Sequence, residues 1–177
     1  CALPIFIPVI KGNGYGLGQE LLASEASRLG VRAIAVGTIH EVDSVSAAFD
    51  GDILVMEPVE PRDDVAIAAW AEMAGTDVDS RLIRVVASAE GLDLVIDTHV
   101  KPRIVVEART SLHRFGFTAG ELQQAWSWAS NAAHEDRVRL LGLQVHLPLQ
   151  PSSTDIDDLL NLVEQTGSPD LHLLVSH

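Results

Sequence analysis

With 177 residues, 47% of them hydrophobic, the chain is long enough for one well-cored domain and too apolar to stay disordered. Its 25 acidic against 12 basic residues leave a net charge of −13, which argues against nucleic-acid binding by bulk electrostatics, and no apolar run reaches the ~18 residues of a membrane span. Cys1 is the only cysteine, so a disulfide framework and a thiolate metal cluster are excluded within one chain, and a cytoplasmic protein without nucleic-acid or membrane partners is expected.

The elements alternate. The β-branched run "PIFIPVI" (4–10) predicts a first strand, followed by a glycine-rich loop and the helical pattern "QELLASEASRLG". "VRAIAVG" predicts a second strand and "TIHEVDSVSAAFDG" a helix opening on a Thr cap with Glu near its start. "DILVME" is a third strand, and "PRDDVAIAAWAEMAG" a helix with proline at its beginning. "SRLIRVVAS" and "AEGLDLVIDTH" give the next strand and helix, "KPRIVVEA" and "TAGELQQAWSWASNAAHE" the pair after that. "VRLLGLQVHL" is a sixth strand, "STDIDDLLNLVEQTG" a helix, and "LHLLVSH" a seventh strand.

Seven strands separated by helices require a parallel α/β sheet, because parallel neighbours need crossover connections. An open doubly wound sheet and a (β/α)8 TIM barrel both fit. The short, even units favour the barrel, one strand short of closure, as a single domain over 1–177.

The glycines of "VIKGNGYGLGQ" (9–19) match neither the dinucleotide nor the Walker pattern, since Leu17 occupies the place of a required glycine and Lys11 precedes the loop. What stands out is Lys11 itself, one of only two lysines, at the carboxyl end of the first predicted strand and four residues before the only tyrosine, Tyr15. Carboxyl ends of strands carry the active sites of both candidate architectures. Desolvation there favours the neutral amine that Schiff-base chemistry needs. A strand-end lysine holding its ammonium in water satisfies the same spacing, and the spacing leaves both readings open. Lys101, in "THVKPR", reads as solvated. His172 and His177 are too few ligands for a metal site, and none is expected.

"PVIKGNGYGLG" resembles the pyridoxal-phosphate lysine motif of the alanine racemase family, K-A-N-A-Y-G-H-G: Lys11, Asn13, Tyr15, Gly16 and Gly18 match, while Gly12 and Gly14 replace alanines and Leu17 a histidine. Further on, "VVEARTSLHRFGF" resembles K-V-D-T-G-M-x-R-x-G through Thr110, Arg114 and Gly116; "LLGLQVHLPL" resembles the G-x-x-T-H-F strand; and "LHLLVSH" resembles H-x-A-N-S, with Val175 where asparagine is usual. The resemblance implies pyridoxal 5'-phosphate as cofactor, with Lys11 forming the internal aldimine and Tyr15 and Ser176 on the phosphate. It further implies Arg114 on the phenolic oxygen and His146 against the ring. Glu107 stands where the family has a lysine that is often carbamylated; it would supply a carboxylate directly and pair with Arg114.

The resemblance thus implies a pyridoxal-phosphate-dependent amino-acid racemase barrel domain acting on a small amino acid, as a homodimer. A non-catalytic cofactor-binding or interaction protein on the same scaffold is the alternative. In the family a second base comes from a partner subunit, and a carboxyl-terminal β domain follows the barrel. Neither that domain nor an eighth strand is recognised in the sequence, so the chain by itself is expected to be inactive.

Overall fold

The computed structural model describes residues 6–98, 101–168 and 172–176. Its helical segments are α1 (Lys11–Tyr15), α2 (Gln19–Arg28), α3 (Asp43–Ser46), α4 (Asp64–Met73), α5 (Ala89–Ile96), α6 (Ala119–His134) and α7 (Ser153–Thr166). The strands are β1 (Ala33–Val36), β2 (Asp52–Pro58), β3 (Leu82–Val86), β4 (Arg103–Ala108), β5 (Arg139–His146) and β6 (Leu173–Ser176). They form one sheet in chain order, β1-β2-β3-β4-β5-β6. Pairing is parallel in β1–β2, β4–β5 and β5–β6, as helical crossovers demand. No helix among the described residues is long and apolar enough to cross a membrane.

Six named strands are present among the described residues, not seven. The strand expected over 4–10 shrinks to one parallel bridge between Val9 and Ala35. It is flanked by Ile10 N–H donating to the Ala35 carbonyl and Ala35 N–H donating to the Pro8 carbonyl. Pro8 has no N–H to extend the ladder, and beyond Ile10 the backbone leaves extended geometry at once. Residues 4 and 5 lie outside the described residues, as do residues 171 and 177 of the expected last strand.

Two helix expectations also change. The segment after β1 forms a 3-10 turn, Ile39–Glu41, and the four-residue α3, although its Thr38–Glu41 capping box forms. Helix α4 starts on an Asp63 cap whose side chain accepts from Ala66 N–H, so Pro61 stays in the preceding turn. A local acceptor for an orphan helix N–H outweighs the preference of proline for the first helical position.

The described residues fall into two compact units. One runs to Glu57 and takes in Asp63–Arg84; the other takes in Pro58–Arg62 and runs from Val85. In the first, Ile34 and Val36 of β1 and Ile53 and Val55 of β2 pack with Ile10, Val42, Val45, Phe49 and Leu82. In the second, α6 buries Leu122, Ala125, Trp126, Ala129 and Ala132, spaced three and four apart along one face, and packs on β4 and β5. Both faces of β4 are buried, since Arg103 alone of its six residues is even partly exposed. That is the pattern of a parallel strand covered on two sides, and it makes any polar group on this strand costly.

Helix α7 begins on Ser152, whose Oγ accepts from Asp155 N–H while the Asp155 carboxylate accepts from Ser152 N–H at 2.7 Å. The variant Ser152→Ala is expected to lower stability by about 1 kcal/mol, read as a melting shift, because one orphan N–H of the first turn loses its acceptor.

Candidate active site

The predicted site residues fall into two groups, one in each unit. In the first unit, α1 carries Lys11 and Tyr15 through a single turn of left-handed backbone. Gly12, Asn13 and Gly14 have φ/ψ of 60/51, 53/40 and 61/38°, and Tyr15 has φ 55°. A left-handed turn costs roughly 1–2 kcal/mol for each residue bearing a Cβ, so glycine at 12 and 14 removes much of the strain. Such a turn persists only where its surroundings hold it.

Here the holder is Glu41. Its carboxylate accepts from Gly12 N–H at 2.7 Å, from Gly37 N–H at 2.5 Å and from Thr38 N–H at 3.3 Å. Lys11 is half-buried, and it makes no hydrogen bond or ion pair among the described residues. Tyr15 is 66% exposed. Lys101, by contrast, is paired with Asp136.

In the second unit, three predicted residues meet in one chain of contacts. Arg114 Nη1 lies 3.2 Å from His146 Nε2, and His146 Nδ1 lies 2.7 Å from Ser176 Oγ. Register explains the second contact, because His146 of β5 pairs directly with Ser176 of β6. A guanidinium only donates, so Nε2 accepts and a neutral ring carries its proton on Nδ1, facing the serine hydroxyl. The backbone around His146 is held too: Thr110 Oγ1 donates to its carbonyl.

The loop bearing Arg114 closes through Gly116. Arg109 N–H donates to the Phe117 carbonyl and Phe117 N–H to the Glu107 carbonyl, both at 2.8 Å. The loop is tied at its far side by Ser111, whose hydroxyl reaches the Asp155 carboxylate. Hydrogen bonds from Ser111 and Ser152 hold that carboxyl below its usual range.

Glu107 lies next to this chain but outside it. The expected pair with Arg114 does not form. The guanidinium rests on His146 instead and reaches Glu107 only as a charge at a distance. Glu107 faces Gln144 across the β4–β5 register and hydrogen-bonds its side chain. It is 4% exposed, and burial pushes its carboxyl up to about 7, against the opposing pull of Arg114 and Gln144. Glu107 Oε2 and Gln144 Oε1 are both buried without a partner.

Gln144 and Glu41 were not singled out as site residues from the sequence. Gln144 could have been, since it sits two residues before His146 on the same strand face. Glu41 reads there only as a helix cap. His177, set beside His172 as a discounted metal pair, lies outside the described residues.

Comparison with known proteins bears on what these groups are. A family model described as "Alanine racemase, N-terminal domain" matches residues 4–165. The alanine racemase of Campylobacter concisus is 29% identical over 140 residues, covering 79% of this chain and 35% of the relative. That of Nitratidesulfovibrio vulgaris (strain DP4) is 31% identical over 113 residues, 63% of this chain and 28% of the relative. The chain therefore spans about a third of the length of these relatives. Among solved structures, alanine racemase from a D-cycloserine-producing Streptomyces lavendulae superposes with TM-score 0.75 at 23% identity, covering 97% of this chain and 45% of that one. The Bartonella henselae alanine racemase, solved with covalently bound pyridoxal phosphate, gives TM-score 0.72 at 19% identity, covering 96% of this chain and 46% of that one. With more than half of its residues matched by the family model, the chain belongs to the alanine racemase N-terminal domain family.

Proposed function

We propose that this chain is the cofactor-bearing portion of a pyridoxal-phosphate-dependent amino-acid racemase acting on a small amino acid, with Lys11 as the attachment point. The observation that carries this reading is the state of Lys11: a half-buried amine with no partner among the described residues, on a strained turn that the Glu41 carboxylate ties down. Lys101, by contrast, lies at the surface with its ammonium on the Asp136 carboxylate.

The residues fit the cofactor by the chemistry of their donors. In the first unit Lys11 offers the nucleophilic amine and Tyr15 a hydroxyl suited to a phosphate; in the second Ser176 offers a hydroxyl and Arg114 a cation suited to a phenolic oxygen, with no carboxylate among the described residues within ion-pair reach of it. Bound there, pyridoxal phosphate would draw into its ring the charge left when a proton departs from the substrate Cα. Lys11 is then the group that takes and returns that proton on one face. His146 sits between Arg114 and Ser176 and serves as a fixed wall, and the Glu107 carboxyl acts on Arg114 only as a charge at a distance.

The second reading, a cofactor-binding protein that does not racemise, draws on Tyr15. It is the chain's only tyrosine, and a tyrosine engaged on phosphate cannot also move a proton on the opposite face. We therefore expect the 177-residue chain, given cofactor, to exchange the Cα hydrogen of alanine for deuterium without interconverting D- and L-alanine. Inversion at ordinary enzyme rates would contradict this. The cofactor claim is tested by titrating the chain with pyridoxal phosphate and following the absorption band of its lysine adduct. The band should be lost in Lys11→Ala, and an unchanged spectrum in that variant would refute the assignment.

A further inference from the structure

We propose that Glu41 is the positioning residue of Lys11: one carboxylate ties the left-handed turn to the end of β1 and sets the direction in which the lysine leaves the backbone. The inference rests on the reading of Lys11 as the cofactor-bearing amine and deepens it.

Two observations carry it. The first is the division of labour within the carboxylate. One oxygen accepts from Thr38 N–H, as the Thr38–Glu41 capping box requires, and also from Gly37 N–H at the end of β1. The other reaches 29 residues back along the chain to Gly12 N–H, the first peptide after Lys11. A cap needs only the first of these. A charge-assisted bond to the N–H that follows the lysine is a separate function, made to a backbone that is left-handed from Gly12 to Gly16 and has no right-handed helix of its own to stabilise it.

The second is packing. A Cβ placed on Gly37 would meet Glu41 Oε2 at 2.9 Å and Lys11 Cβ at 3.2 Å, so the end of β1, the carboxylate and the base of the lysine side chain lie against one another with no room to spare. The base of the lysine side chain thus lies beside the end of β1, and the peptide behind it cannot flip without breaking the Gly12 bond. Neither constraint depends on the charge of Lys11 itself.

The test compares Glu41→Ala, Glu41→Gln and Thr38→Ala in the full chain. Thr38→Ala removes the cap hydroxyl and leaves the Glu41–Gly12 bond in place, so it reports what a structural cap alone contributes. Two readouts are followed: amide exchange over residues 10–18, and the induced circular dichroism of added pyridoxal phosphate per cofactor bound, which reports orientation rather than occupancy. Loss of one charge-assisted bond corresponds to roughly tenfold or more in local opening, so Glu41→Ala should speed exchange at Gly12 by about that factor and reduce the dichroism per bound cofactor. Thr38→Ala should lower the melting temperature and move neither readout. If Glu41→Ala does not fold, Glu41→Gln keeps the packing and one acceptor and should show the same pattern with a smaller factor. Identical behaviour of the Thr38 and Glu41 variants, or unchanged exchange at Gly12, overturns the proposal. If the unsubstituted chain gives no cofactor signal at all, the lysine reading fails, and the exchange comparison alone decides the role of Glu41.

Discussion

Glu107→Gln is expected to stabilise the chain at pH 8 and to flatten its stability–pH curve. In the folded protein burial pushes the Glu107 carboxyl up from 4.5 to about 7. Between those values the native state holds a proton that the unfolded chain has released, so unfolding free energy falls as pH rises through this window. The penalty is absent below the unfolded value and complete above about 7. Its full size, from the shift, is on the order of 3 kcal/mol. Glutamine removes the charge, keeps the shape, and offers an N–H2 to Gln144 Oε1, which now has no donor. Denaturant melts of both proteins from pH 5 to pH 8 check this. Curves that converge near pH 5 and separate by roughly 2–3 kcal/mol at pH 8 are the expected outcome. Parallel curves would mean that Glu107 does not titrate in this range.

Gly116→Ala, by contrast, should damage the fold. Gly116 has φ 110°, a region that residues with a side chain scarcely visit, and a Cβ there would lie 2.6 Å from both Ala108 C and Arg109 N. Both neighbours are backbone at the end of β4 and cannot rotate away. Strain of roughly 1–3 kcal/mol from the dihedral and a similar amount from overpacking add to about 4 kcal/mol. The Ala108–Phe117 bridge should open, taking with it the loop that brings Arg114 to His146. A melting experiment measures the loss of stability. A variant within 1 kcal/mol of the parent would show that the loop can adopt another closure.

These two sites also mark where the sequence could and could not be read. The parallel α/β class, the long α6 and the buried strands β4 and β5 were legible because apolar periodicity is set by burial, and burial governs these elements. The family was legible in the lysine motif. The placement of His146 beside Ser176 follows from strand register, which the alternating pattern already constrains. The Glu107–Arg114 pair failed because nothing local fixes where a loop arginine turns. Gly116 and the bridge it permits send the guanidinium to the imidazole, and those are tertiary facts. The first strand failed at Pro8, whose missing N–H cuts the ladder even though its neighbours have every strand preference. The left-handed α1 turn was visible only as an excess of glycine. Its anchor, 29 residues away, was not visible at all.

Lys11, and no other amine of this chain, is proposed to hold the cofactor. Only Lys11 and Lys101 compete as side-chain amines, and Lys101 is engaged with Asp136. The chain is incubated with pyridoxal phosphate, the adduct is fixed by borohydride reduction, and the pyridoxyl group is located by peptide mass spectrometry. The expected result is a label of about one per chain on the peptide containing Lys11, absent from Lys101. A label on Lys101 or the terminal amine in place of Lys11, or no label under saturating cofactor, would contradict it.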